Sequence, residues 1–352
     1  MTSVSAHTVS ALASAAQLAP SADNSQPWHL HWDGAKLHLQ YDAKRVAGKT
    51  FPADSPSTLL SIGSVIEIIL TCAMQWGVTA RFSPSDTPGA DNDYGYFELC
   101  NEAPSPAVPP PAVGERHCNR LSYKSAAVNA ALIDKYSAAT QGKARCVSYT
   151  NTTALKSLAQ LAKQASQIRF QTEEVHKWLG RSLRFDRESI AQGDGLDVNT
   201  LDLPPGGGLF LRMISDWNTM RRLNRVGAYR LLSHIDAAPL AKGPAIACIV
   251  APATLSAALD AGRLLQRVWG LINADGLAAH PYYVIADQLA RLDAGLIGEQ
   301  HLGLAQSIKR DTEAALGLTQ GETLHMMLRL GEAKKTAVRS KRVPLDKILS
   351  GV

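Results

Sequence analysis

The fold is decided by residues 19–29, Ala19-Pro20-Ser21-Ala22-Asp23-Asn24-Ser25-Gln26-Pro27-Trp28-His29. A helical pattern ends before this stretch and an alternating strand pattern follows it, so it is predicted to be an irregular turn. Its two prolines fix φ and remove backbone donors, which leaves the other amides and the side chains of Ser21 and Asn24 able to face a planar polar ligand. A turn that only caps the helix is the alternative reading of these residue types.

Around this turn the sequence predicts interleaved helices and strands. Asp33-Gly34 between two alternating runs predicts a hairpin over 29–41, and the apolar run 57–76, ended by Gly77, predicts a long buried helix. Further helices are predicted at 7–19, 129–139, 153–179, 209–233, 256–274 and 297–316, and further strands at 79–83, 94–100, 244–252, 282–286 and 323–330. The elements do not follow a regular βαβ repeat, so the predicted class is α+β.

A proline-rich stretch divides the chain into unequal parts. Residues 101–114 read NEAPSPAVPPPAVG, a composition that favours extended polyproline geometry over a helix or a central strand. We therefore expect an N-terminal half at 1–100, a stiff linker at 101–114 and a C-terminal half at 115–352.

Composition excludes several classes of protein. The chain has 352 residues, 45% hydrophobic and 19% charged, so it is expected to bury a sizeable core rather than to be disordered. No uninterrupted apolar stretch reaches membrane-spanning length, and residues 1–17 lack the basic start of a signal peptide, so a cytoplasmic protein is expected.

Charge and cysteine usage also argue against nucleic-acid and metal partners. The net charge is +5, and the only dense basic run lies at 334–342, whereas a nucleic-acid binder would cluster more of its positive charge. The five cysteines form no CxxC pair and the ten histidines form no HExxH motif. We therefore expect no disulfide framework and no metal.

The turn at 19–29 resembles the APSxxNxQPW signature of the nitroreductase flavoenzyme family. The resemblance implies that Pro20, Ser21, Asn24 and Gln26 lie against a flavin bound between two subunits or two halves. It also implies FMN as the cofactor.

A second match follows the linker, at residues 115–120 with the sequence Glu-Arg-His-Cys-Asn-Arg. It resembles the RxSxR segment of the same family, with Cys118 where serine is usual. Arg116 and Arg120 are four residues apart, and on one helix-like face they would grip an anion such as the FMN phosphate. An exposed basic helix start is the alternative.

Two further segments extend the resemblance. The tail at 331–345 is similar to the family's closing segment, in which a basic side chain reaches the phosphate; here the candidates are Lys341 and Arg342. The segment 261–281 is similar to the family's long core helix, after which Pro281, Tyr282 and Tyr283 would pass the flavin N5 edge. For the tyrosines and for Arg263, which could also line the site, core packing and a surface charge are the alternatives.

The order of the motifs predicts a tandem arrangement. The serine–asparagine motif comes at residue 20 and the arginine motif at residue 116, so each half holds what the other lacks. The resemblance therefore implies a nitroreductase-like fold of two fused unequal halves that mimic the family's homodimer, with one FMN site at their junction. The assembly would be a monomer or a homodimer.

The resemblance implies an FMN-dependent oxidoreductase that moves hydride from NAD(P)H, or from an organic substrate, to a small-molecule acceptor such as a nitro compound or quinone, or that carries out a specialised dehydrogenation. No catalytic acid or base can be named from the sequence. The alternative is a non-catalytic protein that sequesters FMN under a lid. Residues 193–208 have glycines at both ends and apolar residues between them, as such a lid would, although an ordinary connector has the same composition.

Overall fold

The structure, a computed structural model, describes residues 4–101 and 108–352. The helices up to residue 114 are α1 Ala6–Ala16, α2 Ala43–Val46, α3 Pro56–Trp76 and α4 Pro111–Gly114. Those that follow are α5 Ala130–Ser137, α6 Thr152–Gln171, α7 Glu173–Ser182, α8 Arg187–Ala191, α9 Gly207–Ile214, α10 Trp217–Asn224, α11 Ala228–Ala241, α12 Leu255–Ala274, α13 Val284–Asp293 and α14 Glu299–Leu316. The strands are β1 Trp28–Trp32, β2 Lys36–Tyr41, β3 Thr79–Pro84, β4 Asp93–Cys100, β5 Thr140–Gln141, β6 Ala144–Tyr149, β7 Leu183–Arg184, β8 Leu196–Asp197, β9 Ala245–Pro252, β10 Ala278–Tyr282, β11 Glu322–Gly331 and β12 Leu349–Ser350.

Two five-stranded sheets combine with the helices that pack on them, which confirms the predicted α+β class. The N-terminal sheet has the order β12-β1-β2-β4-β3, and the C-terminal sheet has the order β10-β11-β9-β6-β5. The predicted hairpin is present as β1 and β2, with Leu30 opposite Leu39. Strand β9 lies at the centre of its sheet, and all its residues except Pro252 are buried, as expected for an apolar run between prolines.

Helix α3 is the core helix of the N-terminal half. The Ser55 side chain caps its first turn, Pro56 occupies a first-turn position, and Gly77 ends it in a left-handed conformation, so both ends follow from local sequence. Among the described residues it is the one helix long and apolar enough to cross a membrane, but most of that length is buried inside the protein. Ile62, Val65 and Ile69 are fully buried, which accounts for its apolar composition.

Helix α3 packs directly on α12, and this contact joins the halves. A Cβ on Gly63 would lie 2.2 Å from the Leu259 carbonyl oxygen, and a Cβ on Gly262 would lie 2.3 Å from the Leu60 carbonyl oxygen. The helices therefore approach so closely that only glycine fits at either position. Ser64 reinforces the contact by donating to the Gly262 carbonyl at 3.0 Å.

Ion pairs border the same helix contact. Glu67 of α3 accepts from Arg263 at 3.1 Å and from Arg267 at 2.7 Å, both on α12. Arg263, a candidate for lining the flavin site, is thus engaged at the contact between the two long helices.

The C-terminal tail returns to the N-terminal half. Strand β12 pairs in parallel with β1, with Leu349 opposite Leu30. Upstream in the tail, the Val343 backbone N–H donates to the Gln26 side chain at 3.1 Å, and its carbonyl accepts from Gln17 at 2.7 Å. The last residues of the chain therefore complete the N-terminal sheet.

Several predicted elements were wrong. The strand expected at 282–286 is instead β10 followed by α13; β10 is an edge strand, where the missing N–H of Pro281 is tolerated. The helix expected at 209–233 is three helices, because Asp216 caps a new start and Gly227 adopts a left-handed conformation. The helix expected at 153–179 ends at Gln171 and restarts as α7, with Thr172 in an extended conformation between them.

The linker also differs where it is described. Residues 102–107 lie outside the described part, but Pro111–Gly114 forms a helical turn instead of the expected polyproline geometry. Proline is tolerated at the first position of a helix, where no intrahelical donor is required. A Cβ on Gly270 of α12 would lie 2.1 Å from the Ala112 carbonyl oxygen, so this turn rests tightly on α12.

Candidate functional site

The motif turn holds an unusual backbone conformation. Asp23, Asn24 and Gln26 have φ of +47°, +57° and +48°, in the left-handed region that non-glycine residues seldom occupy. The Ser21 hydroxyl accepts from the Gln26 backbone N–H at 2.9 Å and so holds the turn closed. Such a concentration of strained residues is typical of functional sites.

The amide side chains of the turn bind other parts of the protein. Asn24 Nδ2 donates to the carbonyls of Gly193 and Lys341, each at 3.0 Å. Gln26 Nε2 donates to the same Gly193 carbonyl at 2.9 Å, while Gln26 Oε1 accepts from Val343. Asn24 and Gln26 therefore fasten both the C-terminal tail and residue 193 to the motif turn. Pro20 is half-buried beside them.

Arg116 and Arg342 converge at the end of α1. One nitrogen of each guanidinium donates to the Leu18 carbonyl, at 2.5 Å from Arg116 and 3.2 Å from Arg342. Arg342 also donates to Asn24 Oδ1 at 2.6 Å, and Arg116 lies over the Trp269 ring with 4.7 Å to its centroid. Two cations from distant parts of the chain are thus held beside the motif turn.

Among the residues that the structure describes, this arginine pair has no acidic partner. Within the described residues no carboxylate lies within ion-pair distance of either side chain, and the buried Nε of Arg116 has no hydrogen-bond partner there. Burial, reinforced by the charge of Arg342, lowers the pKa of Arg116 to about 9, and burial lowers the pKa of Arg342 to about 10. One buried and one half-buried cation with an unused donor fit a doubly charged anion such as a phosphomonoester.

Arg120 does not join Arg116 and Arg342 at the Leu18 carbonyl. Residues 115–121 are not helical, so the helix-like face expected for Arg116 and Arg120 is wrong. Cys118 forms an isolated bridge with Ala279 beside β10, and Arg120 donates instead to the Thr200 hydroxyl at 3.3 Å. The arginine that meets Arg116 is Arg342, which the sequence analysis also put forward as a candidate.

A second polar cluster lies around Arg120, and the sequence did not reveal most of its members. Burial, then the charges of Arg120 and Arg329, hold the pKa of His280 well below its usual value. Burial raises the pKa of Asp23, although a 2.9 Å hydrogen bond from Ser182 and the charge of Arg120 oppose it. Asp23 belongs to the motif turn, and this was the one feature of the sequence that could have indicated the cluster. His280 directly precedes Pro281, and no sequence pattern marks it as a site residue.

Some groups of this cluster are also unpartnered within the described residues. The hydroxyl of Tyr282 and Nδ1 of His280 are buried without hydrogen-bond partners there, and their rings lie 4.4 Å apart between centroids. Burial raises the pKa of Tyr282, so its hydroxyl stays protonated. Both atoms are therefore free to make a hydrogen bond to water or to a ligand.

The remaining predicted site residues have varied surroundings. Tyr283 packs edge-on against Phe51 at 6.0 Å between ring centroids, and burial raises its pKa. Pro281 is half-buried in β10, opposite Leu328. Lys341 is exposed and contributes its backbone carbonyl to Asn24. No group of three or more metal-ligating side chains occurs in the parts of the chain that are described.

Comparisons with known proteins give structural similarity alone. No model of a known protein family and no curated protein matches the chain. Similar solved structures include a nitroreductase with bound FMN from Bacteroides fragilis, with 12% identity, coverage of 66% of this chain and 92% of that chain, and a TM-score of 0.37. The FMN-dependent nitroreductase NfnB from Mycobacterium smegmatis, in complex with NADPH, has 17% identity, coverage of 68% and 96%, and a TM-score of 0.38.

Proposed function

We propose that this protein is an FMN-dependent oxidoreductase. It would transfer hydride from NADH, NADPH or an organic substrate to a small-molecule acceptor such as a nitro compound or quinone. The observation that carries the proposal is the meeting of Arg116, which is buried, with Arg342, which is half-buried. This pair has no acidic partner in the described residues and lies beside a strained turn with the flavoenzyme motif. When bound, FMN supplies the hydride chemistry at its flavin ring.

Arg116 and Arg342 would bind the phosphate of FMN. Their shared contact with the Leu18 carbonyl leaves donors on both guanidinium groups, including the unpartnered Arg116 Nε. Trp269 covers one face of Arg116, which limits water at the guanidinium. A phosphate dianion would offset the cost of burying two like charges.

The polar cluster around His280 would line the reacting end of the site. Because the pKa of His280 is held far below neutral, its ring is uncharged at pH 7 and can donate or accept one hydrogen bond at Nδ1. The Tyr282 hydroxyl keeps its proton and can donate to a ligand oxygen or nitrogen. His280 and Tyr282 would orient the substrate and exclude water. We propose no proton transfer by either residue.

The purified protein tests this function directly. We expect about one FMN per chain in the supernatant after heat denaturation, because the motifs form one complementary set. NADH or NADPH added anaerobically should bleach the flavin band near ~450 nm. Release of FAD, or of no flavin by a protein that also fails to bind added FMN, contradicts the cofactor assignment.

Sequestration of FMN is the second candidate, and one observation favours it. The segment expected to act as a lid is fastened, since the Gly193 carbonyl accepts from both Asn24 and Gln26 and Thr200 accepts from Arg120. A cover held in this way would slow exchange at the flavin. Bound FMN that is photoreduced but not bleached by either nicotinamide nucleotide would favour storage over turnover.

A further inference from the structure

Three consecutive helices, α9, α10 and α11, carry a cluster of exposed apolar side chains. Residues 207–241 hold six of the thirteen large apolar side chains that are exposed in the described part of the chain, namely Leu209, Phe210, Met213, Val226, Leu231 and Ile235. On α9 and on α11 these residues are three or four positions apart, so they form one stripe on each helix. Single exposed apolar residues are common on protein surfaces, but a cluster of them marks an interaction site.

The three helices form an outer layer over α6 and α7. Helix α11 packs on α6, and α10 packs on α7 and contacts both α9 and α11. The end of α9 also rests on α7, because His176 Nε2 donates to the Ile214 carbonyl at 2.7 Å and a Cβ on Gly180 would lie 2.8 Å from the Ser215 carbonyl oxygen. The exposed side chains of 207–241 therefore face away from α6 and α7, and we call this outer surface the α9–α11 face.

The α9–α11 face is also basic. Its two carboxylates are engaged locally: Asp216 caps the first turn of α10, and Asp236 pairs with Arg169 of α6 at 3.0 Å. Its five arginines are all exposed, and none of them forms an ion pair with a described residue. They are Arg212, Arg221, Arg222, Arg225 and Arg230.

Carboxylates outside the face offset only part of this charge. The charge of Arg212 acts on Asp186, and that of Arg221 acts on Glu173. Both carboxylates are exposed, and Glu173 already pairs with Lys177 at 2.6 Å. The face therefore combines apolar side chains with a net positive charge.

This charge argues against a second copy of the chain as the partner. A symmetric contact between two copies places the same surface on both sides, so the five arginines would face five arginines. Both carboxylates of the face are already engaged, and like charges across an interface oppose association. The partner must instead combine negative charge with apolar groups.

We propose that the α9–α11 face binds the surface of an anionic lipid bilayer. The arginines would bind lipid phosphates, to which a guanidinium can donate two parallel hydrogen bonds, and the apolar side chains would enter the boundary between headgroups and acyl chains. Helices that lie on membranes have this composition, with basic residues beside leucine and phenylalanine. Such peripheral binding requires no membrane-spanning helix, so it is compatible with the expectation of a cytoplasmic protein.

The test is flotation of the purified full chain with two kinds of vesicle, phosphatidylcholine alone and an equal mixture of phosphatidylcholine and phosphatidylglycerol. We expect binding to the mixed vesicles to be tighter by about tenfold or more, because several arginines meet anionic headgroups. Added NaCl should weaken this binding, because salt screens the charges.

A pair of arginine substitutions tests the contribution of charge. Arg222→Gln together with Arg225→Gln should weaken binding to the mixed vesicles by about tenfold or more. The matched control is Arg81→Gln together with Arg310→Gln, which makes the same change in net charge at exposed positions outside the face. The control should bind as the wild-type protein does.

A pair of leucine substitutions tests the contribution of apolar contact. Leu209→Gln together with Leu231→Gln should also weaken binding by about tenfold or more, because two side chains that are 76% and 63% exposed lose their insertion into the bilayer. The matched control is Leu296→Gln together with Leu302→Gln, at exposed positions elsewhere on the surface. Circular dichroism shows whether each variant is folded.

The wild-type protein tests the proposal independently of any variant, since no binding to either vesicle or equal binding to both would overturn it. Binding that the control pairs lower as much as the two face variants do would also overturn it. Sedimentation velocity without lipid tests a second copy as the partner, and we expect the leucine variant to leave the oligomeric state unchanged. A dimer that this variant converts to a monomer would assign the face to self-association and overturn the lipid assignment.

Discussion

Arg116 and Arg342 donate to one backbone carbonyl, that of Leu18, although one follows the linker and the other lies in the C-terminal tail. In the described part of the chain their partners are neutral, since the Leu18 carbonyl, the Asn24 side chain and the Trp269 ring carry no net charge. Two like charges held this way repel each other, and an anion between them relieves that repulsion.

Arg116→Ala and Arg342→Ala should each weaken FMN binding by ~2–4 kcal/mol, because the phosphate loses a charge-assisted hydrogen bond. Arg120→Ala should weaken it less, because Arg120 is directed to Thr200. Fluorescence titration of apo-protein with FMN measures the affinities. The control is Arg145→Ala, which breaks an ion pair with Glu322 on the C-terminal sheet. Wild-type affinity in both the Arg116 and the Arg342 variant would remove the phosphate assignment.

Gly63→Ala should destabilise the protein by about 2–3 kcal/mol, because the new Cβ would lie 2.2 Å from the Leu259 carbonyl oxygen and force α3 and α12 apart. Urea denaturation followed by circular dichroism gives the free energy of unfolding. The matched control is Gly303→Ala in α14, where a Cβ meets nothing within 4 Å and should add ~0.5–1 kcal/mol of stability. Equal effects of the two substitutions would mean that the helices can separate freely.

Gln26→Ala should loosen the C-terminal tail, because the Val343 N–H loses its partner and the Gly193 carbonyl keeps only its bond from Asn24. We expect a loss of about 1–3 kcal/mol in the free energy of unfolding. We also expect faster removal of C-terminal residues by carboxypeptidase. Gln40→Ala, at an exposed position of β2, is the control for loss of a glutamine side chain. A tail as resistant as in the wild-type protein would show that the Gln26 side chain is not needed to hold it.

Asp287 should make the protein less stable as pH rises from about 4 to about 6. Burial raises the pKa of this carboxyl to about 6, partly offset by the charge of Arg291, whereas its unfolded value is ~3.9. The folded state therefore binds the proton more tightly than the unfolded state does. The free energy of unfolding falls by on the order of 2 kcal/mol between about pH 4 and about pH 6 and does not recover at higher pH.

Urea denaturation at pH 4.5 and pH 7.5 measures this effect. Asp287→Asn should be more stable than wild type at pH 7.5 and should show a smaller difference between the two pH values. Asp134→Asn, at an exposed position of α5, should keep the wild-type difference. If the Asp287 variant also keeps it, the carboxyl stays ionised in the folded protein.

The local sequence was enough to predict the helices and strands whose boundaries are set by neighbouring residues. Pro56 and Gly77 delimit α3, Asp33-Gly34 turns the hairpin, and the apolar run before Pro252 becomes β9. In each case the boundary is set within a few residues, by a proline with a fixed φ, by a glycine in the left-handed conformation, or by the spacing of apolar residues. These elements could therefore be predicted without knowledge of any distant contact. The motif turn was located for the same reason.

Only the tertiary structure decided which charged and polar groups meet. The spacing of Arg116 and Arg120 suggested one grip, but the chain there is extended beside β10, and the tail brings Arg342 to Arg116 instead. The cluster of Asp23 and His280, and the hydrogen bond between His31 and Ser350, likewise join residues from opposite ends of the chain. Such contacts depend on how whole sheets and helices pack. Residues that are far apart in the sequence become neighbours in the folded protein, and the local order of residues does not show which ones will meet.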